Sequence, residues 1–389
     1  MDVSEVRDDP GGAAIRVLHV SQPVDGGTAS VVQTLALADQ ARGRTVAIAS
    51  PPGDLGRWAV DLGFDWRELQ MARRPEARDL HHVLALRRLL PEFDVVVLHS
   101  SKAGAVGRIA LASMPRNVRP RCVFYPHAWS WYTAATSASV YRTFERVAAH
   151  WTDLFVAVSE SERRDGVRRL PRSALPKFRL IENGVDVEWF SPDGPTADRP
   201  EGPYVVCVGR LSEQKGQDLA IEALQMLGQE GVTLCIVGDG PELERLEALV
   251  VDLELEQWVR FVPAQDPRPF YRAADVVVVP SRWEGMPLVL LEAMACGAAV
   301  LATRSAAAGL TDGSALAFVE APGATGLAAG LRQLLPDPGL RARMGAEAAA
   351  LVRTFHPVGR VADQYDQLVR SLTIGAEPRV ETTDERQTA

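Results

Sequence analysis

The chain has 389 residues, of which 47% are hydrophobic and 24% charged, with a formal net charge of −8. That is enough apolar material for about two globular domains with a core each, and no apolar run approaches the roughly 20 residues of a membrane span. Overall acidity and scattered aromatics argue against nucleic-acid binding.

The first twelve residues are acidic and polar, unlike a signal peptide. Residues 1–14 and 373–389 lack apolar periodicity and are expected to be disordered tails. Between them strands and helices alternate, which predicts a parallel sheet covered on both faces. The first strand is Ile15–Val20, followed by a glycine-bearing turn, Asp25-Gly26-Gly27-Thr28, and a helix to about Gln40. Strands are expected at Thr45–Ala49, Asp94–Leu98, Cys122–Tyr125, Leu154–Val158 and Phe178–Ile181. The helix after Pro126-His127-Ala128-Trp129 places Tyr141, Phe144 and Val147 on one face.

Residues 183–203 carry prolines and little periodicity, so they read as a domain linker. The alternation then restarts. Tyr204–Val208 ends in Gly209-Arg210, Thr233–Val237 ends in Gly238-Asp239-Gly240-Pro241, and Val259–Phe261, Val276–Val279 and Ala299–Ala302 supply further strands. Helices close the chain from about Gly323 to Leu372. The expected organisation is a first domain over 15–190 and a second over 191–355, both α/β and doubly wound.

Charge is uneven. Residues 15–190 hold 24 basic against 18 acidic side chains, and residues 191–372 hold 15 against 24. Arg163, Arg164, Arg168, Arg169, Arg172, Lys177 and Arg179 form a basic cluster, which reads either as a solvated surface or as a patch attracted to an anionic membrane face. Lysine is rare: Lys102, Lys177 and Lys215 are the whole set. The cysteines Cys122, Cys207, Cys235 and Cys296 lie far apart without a C-x-x-C pair. That disfavours zinc and disulfides and points to a reducing, cytoplasmic setting.

Sites in doubly wound sheets lie beyond the carboxyl ends of the strands. The residues that fall there are Gly26, Gly27, Lys102, His127, Arg210, Lys215, Gly238 and Glu284. No P-loop, no Asp-x-Asp, no serine-nucleophile elbow and no second His or Cys at ligand spacing from His127 is present. No metal is therefore expected. What remains is two cations after one strand, Arg210 and Lys215, and two carboxylates after another, Glu284 and Glu292. Pro287 sits where a helix favours its first residue, and the helix it opens is apolar apart from Glu292. A lone charge there is costly unless a polar ligand or partner meets it. Cations hold phosphates, carboxylates accept hydrogen bonds from sugar hydroxyls, and the helix start adds free N–H groups and a positive dipole end. Together these suit a nucleoside-diphosphate sugar without a metal.

At these residues the chain resembles glycosyltransferase family 4, the retaining enzymes of the GT-B fold with an E-x7-E element. The matching segments are Asp25-Gly26-Gly27, Pro126-His127-Ala128, Val158-Ser159-Glu160-Ser161, Asn183-Gly184-Val185-Asp186, Val208-Gly209-Arg210 with Lys215-Gly216, Val237-Gly238-Asp239-Gly240-Pro241, and Glu284 with Glu292. The resemblance implies two facing Rossmann-like domains with a cleft between them, the first for the acceptor and the second for the donor. It implies that Arg210 and Lys215 neutralise the donor diphosphate, that Glu292 holds the ribose, and that Glu284 and His127 lie by the transferred sugar. Gly27 would lie under the diphosphate, Val262 by the base, and Gly285, Met286, Pro287 and Leu288 along the donor. It also implies that a final helix, 356–372, crosses back to the first domain.

The expected function is transfer of a sugar, from a UDP-sugar by family frequency, to an acceptor hydroxyl in polysaccharide, glycolipid or secondary-metabolite synthesis. No resident cofactor is expected. A nucleotide-sugar 2-epimerase of the same fold and a non-catalytic nucleotide-sugar-binding protein are the alternatives. Met286-Pro287 departs from the Phe-Gly common at that point, and proline offers no N–H. Lys102 is expected to meet an anionic, lipid-linked acceptor, and the basic cluster suits peripheral membrane association.

Overall fold

The computed structural model describes residues 14–72, 75–132, 138–228, 231–307, 310, 317–319 and 323–373. The expected tails fall outside these residues except for Ala14 and Thr373, and Thr373 closes the last helix.

The first half runs β1 (Arg16–Ser21), α1 (Gly26–Ala41), β2 (Thr45–Ser50), α2 (Asp54–Asp61), β3 (Asp65–Glu68), α3 (Asp79–Leu89), β4 (Val95–His99), α4 (Ser100–Ala112), β5 (Arg121–Tyr125), α5 (Ala138–Ala148), β6 (Leu154–Ala157), α6 (Glu160–Arg169) and β7 (Phe178–Leu180). The second half runs β8 (Tyr204–Val208), α7 (Gln217–Met226), β9 (Thr233–Val237), α8 (Leu243–Asp252), β10 (Val259–Val262), α9 (Arg268–Ala273), β11 (Val276–Val279), α10 (Leu288–Ala295), β12 (Val300–Thr303), β13 (Ala317–Val319), α11 (Ala324–Leu334), α12 (Pro338–Phe355) and α13 (Val358–Thr373).

Each half builds one sheet, ordered β3-β2-β1-β4-β5-β6-β7 and β10-β9-β8-β11-β12-β13. All the pairings are parallel, as in β1 with β4 and β8 with β11. Strand β4 (VVVLH) and strand β11 (VVVV) are buried at every position, because helices cover both faces of a parallel sheet. The strand order reverses between β1 and β4 in one sheet and between β8 and β11 in the other. A crevice opens at each reversal, beyond the strands' carboxyl ends.

The two halves are joined twice. After β7 the chain crosses to β8, and α13 returns to lie on α1. The return is pinned by a parallel bridge between Val185 and Pro357, with Val185 N–H donating to His356 O and Val358 N–H to Val185 O, both at 2.9 Å. Gly184 is required at this crossing: a Cβ there would sit 2.7 Å from Val361 Cγ2 and 2.9 Å from His356 O. On α13, Asp363 pairs with Arg42 at 2.6 Å and Asp366 pairs with Arg44. Among the described residues no helix is long and apolar enough to cross a membrane.

Three details differ from the sequence expectations. Strands β3 and β13 were not anticipated: β3 reads Asp-Trp-Arg-Glu, a polar edge strand without an apolar run. The Tyr141–Phe144–Val147 face of α5 is not its core face, since Val147 is 52% exposed. The buried members of α5 are Glu145 and Ala148. Glu145 is drawn inward by Arg108 of α4, itself fully buried, through bonds of 2.7 and 2.8 Å. Finally, Pro287 is the N-cap of α10, one residue outside the helix, with φ −72° and ψ 128°.

Candidate active site

Four loops, each at the carboxyl end of a strand, meet between the two sheets. The turn after β1 carries Asp25, Gly26 and Gly27. The loop after β5 carries His127 and Ala128. The loop after β8 carries Arg210 and Lys215, and the loop after β11 carries Glu284 to Pro287.

Contacts across the cleft join them. Arg210 Nη1 lies 3.0 and 3.1 Å from the two carboxylate oxygens of Asp25. Asn183 Nδ2 donates to Met286 O at 2.7 Å. A Cβ added to Gly27 would touch the Leu288 side chain at 3.8 Å. One added to Gly285 would lie 2.9 Å from Val158 Cγ2, 3.2 Å from Ala128 N and 3.4 Å from Glu162 Oε1. Gly285 is thus the point where the second domain's loop rests on the first domain.

Lys215 donates to Glu284 Oε1 at 2.6 Å, and its Glu284 partner is 8% exposed at the side chain. Gln214 Nε2 reaches Trp283 O at 3.0 Å and Glu284 Oε2 at 3.3 Å, which fixes the carboxylate from the other side. Arg282 does not enter this set; it forms a bidentate pair with Asp218, at 2.9 and 2.8 Å, that ties the loop to α7.

Glu292 lies one turn into α10. Tyr271 donates its hydroxyl to Glu292 Oε2 at 3.0 Å. Burial pushes the Glu292 carboxyl up to about 7, opposed by that hydrogen bond and by Lys215. Among the described residues Tyr271 is the one hydrogen-bond partner of this carboxylate, which leaves acceptor capacity for a ligand. Leu288 and Val289 open α10, so their amides have no carbonyl within the helix to bond. Pro287 lies before them, and its missing N–H takes no donor from the helix end.

On the first-domain side, His127 and Ala128 adopt left-handed φ of 51° and 90°. That conformation is unfavourable for residues with a Cβ. Glu162 holds it in place: its Oε1 accepts from Ala128 N at 2.6 Å and its Oε2 from Val158 N at 2.8 Å. Glu162 also donates its own N–H to Ser159 Oγ at 3.2 Å, the N-cap of α6. Burial pushes the Glu162 carboxyl up to about 7, against these two amides. His127 is pushed down to about 3 by burial, so its imidazole is neutral.

Sequence reasoning missed what stands behind His127. His19, third from the end of β1, and His99, at the end of β4, complete a row on adjacent strands. His99 Nδ1 lies 3.1 Å from His127 Nε2, and His19 Nδ1 lies 3.1 Å from His99 Nε2. The row ends on Asp39 of α1, 2.9 Å from His19 Nε2. The three positions are far apart in sequence, and only the strand order β1-β4-β5 aligns them.

Other predicted residues have different surroundings. Lys102 is only 8% exposed and donates to Asp79 Oδ2 of α3 at 2.6 Å. Its ammonium ties α4 to α3. Gly238, with φ 150°, is a packing glycine, since a Cβ there would fall 2.1 Å from Gly209 O. It keeps the Arg210 loop in register, and its N–H donates to Val262 O at 2.9 Å. Gly26 takes φ 65° at the first position of α1. In the basic cluster, Arg163 pairs with Glu160 at 2.7 Å, Arg169 with Asp165, and Lys177 donates to Ala149 O and Thr152 O. Much of that charge is satisfied internally.

Comparison with known proteins agrees with this architecture. Residues 25–189 match the family described as Glycosyltransferase Family 4, and residues 194–350 match Glycosyl transferases group 1. A GDP-mannose-dependent alpha-(1-6)-phosphatidylinositol monomannoside mannosyltransferase of Mycolicibacterium smegmatis is 30% identical over 284 residues, covering 67% of this chain and 72% of that protein. A UDP-Gal:alpha-D-GlcNAc-diphosphoundecaprenol alpha-1,3-galactosyltransferase of Escherichia coli is 30% identical over 57% of this chain and 60% of its own length. Among solved structures, Anabaena HepE in complex with UDP and glucose superposes with a TM-score of 0.78 at 20% identity, over 92% of this chain and all of that one. With two facing doubly wound domains, cations and carboxylates at their facing strand ends, and these relatives, the chain is a glycosyltransferase of the GT-B fold and belongs to glycosyltransferase family 4.

Proposed function

We propose that the protein transfers a sugar, with retention of anomeric configuration and without a metal, from a nucleoside-diphosphate sugar to a hydroxyl of an anionic or lipid-linked acceptor. The observation that carries this reading is the pair Arg210 and Lys215, each held by a carboxylate at the cleft. Asp25 occupies Arg210 from the opposite domain at 3.0 Å, and Glu284 occupies Lys215 at 2.6 Å. An incoming diphosphate competes with those carboxylates for the same two cations. It also meets the free amides of Leu288 and Val289 at the positive end of α10.

As the glycosidic bond breaks, negative charge builds on the leaving diphosphate. Preplaced cations and helix-end amides act most strongly at that stage, so they lower the barrier and do not merely tighten binding. In this scheme they do the work a divalent metal does elsewhere. Glu292 accepts hydrogen bonds from the ribose hydroxyls, Glu284 from the sugar, and Val262 lies near the base. The leaving phosphate oxygen takes the acceptor's proton on the same face, which accounts for retention without an enzymic nucleophile. Contact at Gly285 brings the domains together and excludes water, which would otherwise consume the donor.

Uridine is the base proposed. The similar proteins described above carry GDP-mannose in one name and UDP-galactose in the other, so both donors belong in the test. Both of those proteins also act on lipid-borne acceptors by name, which supports an acceptor at a membrane surface and a protein working on its cytoplasmic side. The test is product analysis with labelled UDP- and GDP-sugars and a polyprenyl-diphosphate or phosphoinositide acceptor, with EDTA present. Sugar–acceptor product with the donor's anomeric configuration supports the proposal. An inverted product refutes retention, conversion of the donor sugar to its epimer refutes transfer, and activity lost to EDTA refutes metal independence.

A further inference from the structure

Asp39 is the buried end of the histidine row and is completely enclosed. Arg44 Nη1 donates to its Oδ1 at 2.8 Å, and Tyr365 of α13 donates to its Oδ2 at 3.0 Å. Arg44 is bound in turn by Asp366. With an arginine at its side, Asp39 is a carboxylate, which can only accept hydrogen bonds. His19 Nε2, 2.9 Å away, must therefore donate to it.

The remaining directions follow from one rule. A neutral imidazole has a single N–H, so fixing one nitrogen fixes the other. With its proton on Nε2, His19 has a bare Nδ1, which accepts from His99 Nε2. His99 Nδ1 is then bare and accepts from His127 Nε2. His127 is left with its proton on Nε2 and a bare Nδ1. Burial holds His99 well below the ordinary histidine value, so it stays neutral and transmits direction. The rings are held for this purpose: His19 and His99 stack at 5.4 Å, His99 and His127 at 5.4 Å, and Tyr125 stacks on His99 and His127 at 5.3 and 5.5 Å.

We propose that Asp39, His19 and His99 are positioning residues that set the tautomer of His127, making its Nδ1 a hydrogen-bond acceptor for a hydroxyl of the bound sugar or acceptor. The role of that hydroxyl rests on the transferase reading above; the tautomer does not. An acceptor nitrogen selects a ligand that brings an O–H, and it cannot hold a phosphate oxygen. The same row ties this choice to α13, through Tyr365, so the interdomain helix and the cleft histidine share one hydrogen-bonded network. The groups facing the row are Arg44, Tyr365, Asp366 and Tyr125, with Glu162 beyond Ala128.

The test uses the full, ligand-free chain labelled with 15N-histidine, read by two-bond 1H–15N correlation at pH 7.5. His127 is assigned by the signal lost in His127→Gln. In the wild type, Nδ1 of His127 resonates as a bare nitrogen and Nε2 as a protonated one. In Asp39→Asn the amide offers N–H to His19 Nε2, the direction of the row reverses, and His127 carries its proton on Nδ1. Should Asp39→Asn fail to fold, His99→Phe cuts the row while keeping the stacked ring and the Asp39 cluster; the two nitrogens of His127 then shift toward averaged values. A protonated Nδ1 in the wild type, as a doubly protonated His19 would produce, overturns the proposal. So does a His127 signal unchanged in whichever variant folds. Neither result depends on whether the protein transfers a sugar.

Discussion

Replacing Glu292 by glutamine separates the cost of this carboxylate from its use. Its midpoint moves from an ordinary 4.5 to about 7, chiefly by burial. A folded-state value raised above the unfolded one favours the protonated fold. The penalty is therefore absent below about pH 4.5, grows between 4.5 and 7, and is complete above 7. At 1.36 kcal/mol per pH unit, the full penalty is on the order of 3 kcal/mol. Glutamine keeps an acceptor for the Tyr271 hydroxyl and removes the charge. Ligand-free Glu292→Gln should accordingly melt higher than the wild type at pH 8, by several degrees if most of that energy is recovered. The advantage should fade toward pH 5. The same variant should bind the donor more weakly, by roughly 10- to 100-fold, since a hydrogen bond to a charged group contributes about 1.5–3 kcal/mol. Melting curves at several pH values and calorimetric titration with a nucleoside diphosphate measure the two effects. A variant less stable than the wild type at pH 8, or a stability difference that does not vary with pH, would refute the reasoning.

Lys215→Ala and Arg210→Ala should each reduce kcat on the order of 10²–10³-fold, with smaller changes in donor affinity, as steady-state kinetics would show. Gly285→Ala puts a methyl 2.9 Å from Val158 Cγ2 and should hold the domains apart; a loss on the order of 10²-fold in turnover with an unchanged melting temperature is expected. Arg108→Met strands the buried Glu145 carboxylate and should cost about 3–5 kcal/mol in a denaturant titration. The double variant Arg108→Met, Glu145→Leu should recover most of that.

The sequence was most legible where apolar runs end at polar turns. Tyr204–Val208, Thr233–Val237 and Val276–Val279 form strands over those same residues. The cleft cations and carboxylates were legible because each follows such a run. Legibility failed where polar side chains do core work. Strand β3 has no apolar alternation, because an edge strand needs little burial. The inward face of α5 could not be read from its hydrophobic residues, because the fully buried Arg108 on another helix claims Glu145. The ion pair of Lys102 with Asp79 was not legible, because the two lie 23 positions apart. The histidine row left only a faint signal, a histidine late in each of two apolar strands, and needs the strand order to become a row.

The central claim is that the cleft between the two sheets binds a nucleoside diphosphate through Arg210, Lys215 and the start of α10. Thermal shift against UDP, GDP and their sugars tests it directly, since ligand at 100 times its Kd stabilises by about 2.7 kcal/mol. A rise in Tm with a nucleoside diphosphate in the presence of EDTA, lost in the Arg210→Ala, Lys215→Ala double variant, is the predicted result. No rise with any of these nucleotides, or an equal rise in the double variant, would contradict it.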